Sequence, residues 1–363
     1  MKVAVVHNGT KDGIINRFGQ PCPEVYAQRH VGLVADSLRN GGHTVECLQA
    51  DKTLLAELEK FMPPAAGGQP TGVVFNMAYG IQGECRYTHV PAMLEMAGVP
   101  YTGSSPLGHA LALDKVITKI LMIEAGVPTP AFKVMKRAGD SDRGLTYPLV
   151  VKPRHESTSF GLQLVHNREQ LDRAVTSIVQ QYQQDALVED YIDGREVCIG
   201  LLGNNPMEFL PTVELDFSDR AMRLMTWEDK YHKRADEPRK ICPAALDAAL
   251  TAQLQQLSLL TFRACHCKDY SRVDIRIDPQ GRPFVLEINS MASLGDGGSF
   301  VKAATAAGYS FASLVNRILD VTHKRYFGTP VPGDGIVTPA TAVACIAVES
   351  SMERGVEPSR PAA

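Results

Sequence analysis

The sequence predicts an α/β protein, with a doubly wound N-terminal domain followed by two α+β units. Three observations carry this. The first hundred residues read β-α-β-α-β, beginning with the nearly continuous apolar run Val3, Ala4, Val5, Val6 expected of a parallel strand covered on both sides. At 363 residues, 44% hydrophobic and 21% charged, the chain is long enough for two or three cores. Near its C-terminal end, SRVDIRIDPQGRPFVLEIN (271–289) has the period of two and the turn chemistry of an amphipathic β-hairpin.

In order, residues 2–7 form a strand, and the stretch 8–23 is longer than an ordinary βα loop. A helix is expected over 24–39, closed by Gly41-Gly42, then a strand over 44–48, a helix over 52–62, a linker over 63–70 and a strand over 72–76. Further helices are expected near 91–97, over 107–113, and over 115–125 with Asp114 as cap and Gly126 as stop. Strands at 132–135, 149–152, 162–165 and 186–189, with a helix from Asn167 to about Tyr182, make a small β-rich unit. Residues 197–202 and 209–214 read as paired strands, 225–240 as a charged loop, and 243–264 as a long helix. The hairpin follows, then helices at 299–307 and 311–325 and a Pro-, Gly- and Ala-rich tail from 329 to 363.

A net charge of −3 argues against a nucleic-acid surface. No apolar run approaches the roughly 20 residues of a membrane span, and MKVAVVHNG enters a strand rather than a signal peptide, so a cytoplasmic protein is expected. Cys22, Cys47, Cys85, Cys198, Cys242, Cys265, Cys267 and Cys345 are scattered, which fits reduced thiols. Cys265-His266-Cys267 lacks a second pair, so packing is favoured over zinc.

In the hairpin, Val273, Ile275 and Ile277 alternate with Arg272, Asp274 and Arg276, and Phe284, Leu286 and Ile288 with Val285, Glu287 and Asn289. Asp274, Glu287 and Asn289 can therefore converge on one polar face, where two carboxylates and an amide suit a hard cation such as Mg²⁺. An edge hairpin with a solvated charged face is the alternative. The loop KPRHESTSFG (152–161) offers hydroxyls, backbone N–H groups and Lys152 to phosphate oxygens, although it is neither a Walker loop nor a GxGxxG turn, and by itself it reads more readily as an ordinary surface hairpin. LVEDYIDGRE (187–196) is a strand end whose backbone could read an adenine edge, or, as the segment alone favours, simply a strand end with exposed acids.

Together, PYTGSSPLGHALALDKVITKILMIEAGVPTP (100–130), PLVVKPRHESTSFG (148–161), LVEDYIDGREV (187–197) and the hairpin resemble, in order, the ATP-grasp superfamily and within it the D-alanine–D-alanine ligases. The resemblance spans about 70–325 and implies an ATP-grasp fold, with domains at 1–103, 104–186 and 187–328 ahead of the tail. It implies ATP and two Mg²⁺ ions (Mn²⁺ as an alternative), amino-acid or amino-acid-like substrates, and no nucleic-acid or membrane partner; a homodimer stays open. Lys115 and Lys152 would hold the α- and β-phosphates, and Thr158 and Ser159 would lie in the closing loop. Glu189 and the backbone at Ile192 would meet adenine, Glu196 the ribose, and Lys230 and Tyr231 would sit on a mobile lid. Arg272 would face the oxyanion, and Asp274, Glu287 and Asn289 the metals.

The substrate-facing motifs depart from the family. Its Gly-Gly-x-Ser loop is replaced by HNGTKDGIINRFGQPCPE, in which Glu24 is the stand-in for the ammonium-binding glutamate. Gly-Ser-Ser becomes Ser157-Thr158-Ser159, and Thr-x-Pro-Gly becomes Ser290-Met291-Ala292-Ser293. The expectation is a carboxylate–amine ligase with an altered donor pocket built from 8–24, Tyr79 and Arg86. Arg86 would face a second carboxylate or, alternatively, pair with an acid such as Glu84. A strict D-alanine–D-alanine ligase and a non-catalytic ATP-binding homologue are the competing readings; a Rossmann oxidoreductase is disfavoured by the missing GxGxxG.

Overall fold

The computed structural model describes residues 1–8, 22, 24–220, 222–227, 229, 238–329 and 345–346. Strands β1 (Lys2–His7), β2 (Thr44–Gln49) and β3 (Gly72–Asn76) form a parallel sheet in the order β2-β1-β3. Helices α1 (Gln28–Asn40) and α2 (Leu54–Phe61) are its crossovers. Val3, Val5, Val73 and Phe75 pack with Val31, Val34 and Leu38, whereas Ala4, Val6 and Val74 pack with Leu54, Leu58 and Phe61. Both faces are buried, which is why these strands are apolar without alternation. Helix α1 starts four residues later than the sequence predicts. Residues 24–27 enter it as irregular chain, and Ala27 takes the cap position with no side-chain cap bond.

Helices α3 (His89–Met96), α4 (Pro106–Leu113) and α5 (Lys115–Glu124) lead into the second sheet. Asp114 caps α5 by accepting from the Val116 and Ile117 N–H groups. The second sheet is antiparallel, ordered β4 (Phe132–Met135), β7 (Ala186–Asp190), β5 (Leu149–Pro153), β6 (Gln163–Val165). Helix α6 (Arg168–Tyr182), capped by Asn167, covers it through Leu171, Val175 and Ile178.

The third sheet contains β8 (Arg195–Gly203), β9 (Met207–Phe209), β10 (Val213–Asp216), β11 (Arg239–Ile241), β12 (Tyr270–Ile277), β13 (Pro283–Asn289) and β14 (Cys345–Ile346). The strand expected over 209–214 is two strands. Both pair with β8, β9 at Leu201–Gly203 and β10 at Glu196–Cys198. Between them stands Pro211, which has no N–H for a ladder. Helix α7 (Ala248–Ala264) starts at the Asp247 cap rather than at 243. Helices α8 (Ser299–Ala306) and α9 (Phe311–Phe327) close the unit, and α9 places Leu314 and Ile318 in the core that holds Val3 and Phe75.

The hairpin is not at an edge on both sides: β12 pairs with β8 as well as β13. A register shift after Asp274 changes the predicted alternation, so Val285 and Ile288 both join Val273, Ile275 and Ile277 in the core, and Leu286 stands with Glu287 on the other side. Cys265 and Cys267 are buried in the same core, in keeping with packing rather than metal binding. Among the described residues no helix is long and apolar enough to cross a membrane.

Candidate active site

The N-terminal chain, the second sheet and the third sheet surround a cavity of about 690 Å³, within the range of about 300–1,000 Å³ usual for small-molecule sites. The hairpin supplies one wall. Its register sets Arg272 opposite Asn289 and Asp274 opposite Glu287. Arg272 donates from Nε and Nη2 to the two Asp274 oxygens at 2.7 and 2.8 Å, and Asn289 Nδ2 donates to Asp274 Oδ2 at 3.0 Å. Burial opposes the Arg272 charge, but Asp274 outweighs it and raises the guanidinium pKa further. Asp274, Glu287 and Asn289 all border the cavity. Two carboxylates and an amide are hard donors, too few to cage an ion alone; among the described residues no group of three His, Cys, Asp or Glu side chains is placed to do so. That donor set fits Mg²⁺, which keeps waters and phosphate oxygens in its shell, better than zinc.

Facing the hairpin are two buried lysines. Lys115, the first residue of α5, donates from Nζ to the Glu156 carbonyl, and Lys152, near the end of β5, lies 2.5 Å from Glu189 Oε1. Burial lowers the Lys115 pKa, with Glu287 opposing it. Burial also works against Lys152, yet Glu189 and Glu287 together raise it above an ordinary lysine. Glu189 is clamped from its other side by Lys119 at 2.8 Å. Burial would raise the Glu189 pKa, but the two lysines pull it down to about 2. Its carboxylate is thus held between two lysines while it borders the cavity. Lys119 is a residue sequence reasoning missed; the Lys115-x₃-Lys119 spacing, which puts both on one helix face, was the available signal.

The loop after Lys152 is tied at its start by Asp114, which takes Arg154 at 2.8 and 2.6 Å while capping α5. Thr158 and Ser159 have φ of 57° and 59°. For a β-branched threonine this is a strained conformation, of the kind that clusters at ligand clamps. Phe160 then packs against Tyr182 and Trp227 at centroid distances of 5.1 and 6.0 Å. Gly161, at φ +78°, has no room for a Cβ, which would meet Pro153 and Tyr182 at 2.8 and 2.9 Å.

At the opposite end, Ile192 and Glu196 border the cavity and are organised by Arg276, a second missed residue. Only 1% exposed, Arg276 reaches Glu196 Oε2 at 2.6 Å and the Ile192 carbonyl at 3.0 Å, and lies 5.0 Å from the Tyr191 ring centre. Its place in the 272/274/276 alternation marked its face but not its partners.

At the N-terminal side, Glu24 borders the cavity with Tyr26, Tyr79 and Tyr87. Tyr79 stacks on Tyr26 at 5.2 Å. Glu24 Oε2 accepts from the Tyr87 and Ser157 hydroxyls, while Oε1 accepts no hydrogen bond from the described residues. Arg86 does not border the cavity. It is 2% exposed behind the loop, bonded to the His155 carbonyl at 3.1 Å and Glu156 at 3.4 Å, with Glu24 at 3.9 Å. It pairs with acids, as the alternative held, but with Glu156 and Glu24 instead of Glu84, because the tertiary fold brings the loop over it. Lys230, Tyr231 and most of the donor-loop segment 8–24 lie outside the described residues.

The residue pattern of the family described as "D-ala D-ala ligase C-terminus" matches residues 121–320, more than half of the chain. The chain belongs to the D-alanine–D-alanine ligase family. Among curated relatives, a protein of Sinorhizobium fredii named "Uncharacterized protein y4sG" is 55% identical over 92% of this chain and 100% of its own length. D-alanine–D-alanine ligases of Syntrophobacter fumaroxidans and Hydrogenovibrio crunogenus are each 33% identical, over 78% and 87% of this chain and 92% and 98% of their own. The fold resembles a crystal structure of the D-alanine–D-alanine ligase of Bacillus anthracis complexed with ATP, with a TM-score of 0.68, 19% identity, and coverage of 90% of this chain and 98% of that one. The architecture is therefore the ATP-grasp fold, and the family is one of ligases.

Proposed function

We propose that this chain is an ATP-dependent carboxylate–amine ligase, ADP-forming, that joins two amino acids or amino-acid-like substrates through an acyl phosphate. The observation that carries this is the cross-strand set Arg272/Asn289 and Asp274/Glu287 facing Lys115 and Lys152 across one cavity. Three units, over 1–103, 104–186 and 187–328, each supply a wall.

A carboxylate is a poor acyl donor, so one of its oxygens must first become a leaving group. In this reading the donor carboxylate attacks the γ-phosphorus of ATP, ADP leaves, and the amine of the second substrate then displaces phosphate from the acyl carbon. Lys115 and Lys152 offset the phosphate charge, and catalysis is mainly positioning and electrostatics. Asp274, Glu287 and Asn289 would hold Mg²⁺, which supplies charge neutralisation and orientation of the phosphates. Arg272, fixed by Asp274, presents positive charge where the oxyanion develops. Thr158 and Ser159 form the loop over the nucleotide, which keeps water from the intermediate. Ile192 and its neighbours receive adenine through the backbone and Glu196 the ribose, both steadied by Arg276, and Lys230 and Tyr231 act from the lid.

For the donor end, Glu24 is the acceptor for an ammonium, since a buried ammonium needs an anionic partner and Oε1 is uncommitted among the described residues. With Arg86 buried behind the loop, the cation for a second donor carboxylate would have to be another than Arg86, and the reading preferred here is a monocarboxylic amino acid bordered by Tyr26, Tyr79 and Tyr87, with Arg29 and His30 also at the cavity. The test is ADP release over D- and L-amino acids, small dipeptides and dicarboxylates. Release that depends on a monocarboxylic amino acid is expected. Turnover with D-alanine alone makes the chain a strict D-alanine–D-alanine ligase, and nucleotide binding with no release for any substrate refutes the enzyme.

A further inference from the structure

We propose that Arg86 is a positioning residue that couples the donor end of the cavity to the nucleotide loop; this rests on the functional reading above. One buried guanidinium touches both. Nη1 donates to the His155 carbonyl at 3.1 Å, and Nη2 reaches Glu156 Oε2 and Ser157 Oγ at 3.4 Å each and lies 3.9 Å from Glu24 Oε2. Ser157 in turn donates to Glu24, and the next residue is the strained Thr158. Glu156 is also anchored behind by Gln184 Nε2 at 2.7 Å, and its carbonyl receives Lys115 Nζ. The Glu24 carboxylate, Arg86, the loop and a phosphate-facing lysine thus form one connected set.

Arg86 lies between two carboxylates, Glu24 and Glu156, at the centre of this set. A charge that arrives at or leaves Glu24 changes how Arg86 is shared with Glu156, and with it the hold on Ser157. Packed, hydrogen-bonded groups of this kind couple energetically, whereas separate sites add. Arg86 reaches no ligand itself. Its effect passes through Ser157 and Glu156, so that an occupied donor site sets the loop for nucleotide.

The experiment is a double-mutant cycle of Glu24→Ala and Arg86→Lys, read as the dissociation constant of a non-hydrolysable ATP analogue with Mg²⁺ by calorimetry. Glu24→Ala alone is expected to weaken nucleotide binding although Glu24 belongs to the donor end. In the Arg86→Lys background that loss should shrink by about fivefold or more, a typical coupling between sites. A purely structural role for Arg86 gives additive losses, and additivity overturns the inference while leaving the ligase reading intact. Wild-type protein that binds no nucleotide overturns the ligase reading and this inference with it. Where Arg86→Lys does not fold, Glu156→Gln takes its place in the cycle, since Glu156 is linked to Glu24 through Arg86.

Discussion

Glu189→Gln should destabilise the protein by about 3 kcal/mol at neutral pH, and the origin of the loss can be traced. Glu189 is 3% exposed between Lys119 at 2.8 Å and Lys152 at 2.5 Å. Its carboxyl falls from 4.5 to about 2 because the lysines outweigh burial, and at about 1.4 kcal/mol per pH unit that gap corresponds to about 3 kcal/mol. The folded-state pKa is depressed, so this stability is present above pH 4.5 and is lost as pH falls through about 2. Breaking a buried pair by removing one partner costs about 3–5 kcal/mol, a consistent figure. The two lysines do not share the loss equally. Lys152 keeps Glu287 and Glu196 nearby, whereas Lys119, fully buried, is left with the Thr129 hydroxyl at 2.6 Å, the Phe132 ring at 5.5 Å and Glu287 as the least of the charges acting on it. The double variant Lys119→Met/Glu189→Gln should therefore recover about half of the deficit. Urea unfolding at neutral pH measures both. A single variant within about 0.5 kcal/mol of wild type, or a double variant no more stable than the single, would show that the triad is not where this energy lies.

Glu287→Gln should lower turnover by about two orders of magnitude or more, by removing one charged metal ligand, with circular dichroism and melting little changed; wild-type turnover sinks the metal assignment. His109 is buried neutral, its pKa pushed down to about 3 from 6.5, with Ser290 Oγ at 2.8 Å from Nδ1. Between these values the unfolded chain binds the extra proton, so stability falls as pH drops through 6.5 towards 3, by up to about 1.4 kcal/mol per pH unit. His109→Gln should flatten that slope in urea titrations over the same range, and an unchanged slope assigns it to other groups. Gly161→Ala should cost about 1–3 kcal/mol, since the residue is at φ +78° with Pro153 and Tyr182 within 3 Å of a Cβ. It should also raise the KM for ATP more than it lowers kcat; an unaltered KM would separate this turn from the nucleotide.

Much of this protein was legible one residue at a time. The continuous Val3–Val6 run announced a strand covered on both sides, Asp114 and Asn167 announced helix starts, and Gly281 marked the hairpin turn, where φ is +80°. These are local effects: side chains acting on neighbouring backbone, or a periodicity repeated along one element. The order of the lysines, the hydroxyl loop and the hairpin acids was legible for the same reason, because each lies within a short motif. The structure alone decided which groups meet. Arg276 holds Glu196 across 80 residues, Arg86 holds Glu156 across 70, and Ser157 bonds Glu24 across 133. Sequence alternation shows that a charged residue lies on a polar face but leaves its partner open, because a buried ion pair depends on chain segments brought together only when the sheets pack. The shift after Asp274 belongs to the same class. One unmatched residue puts Leu286 beside Glu287 at the cavity and Val285 in the core, and that choice is made by the strand paired opposite.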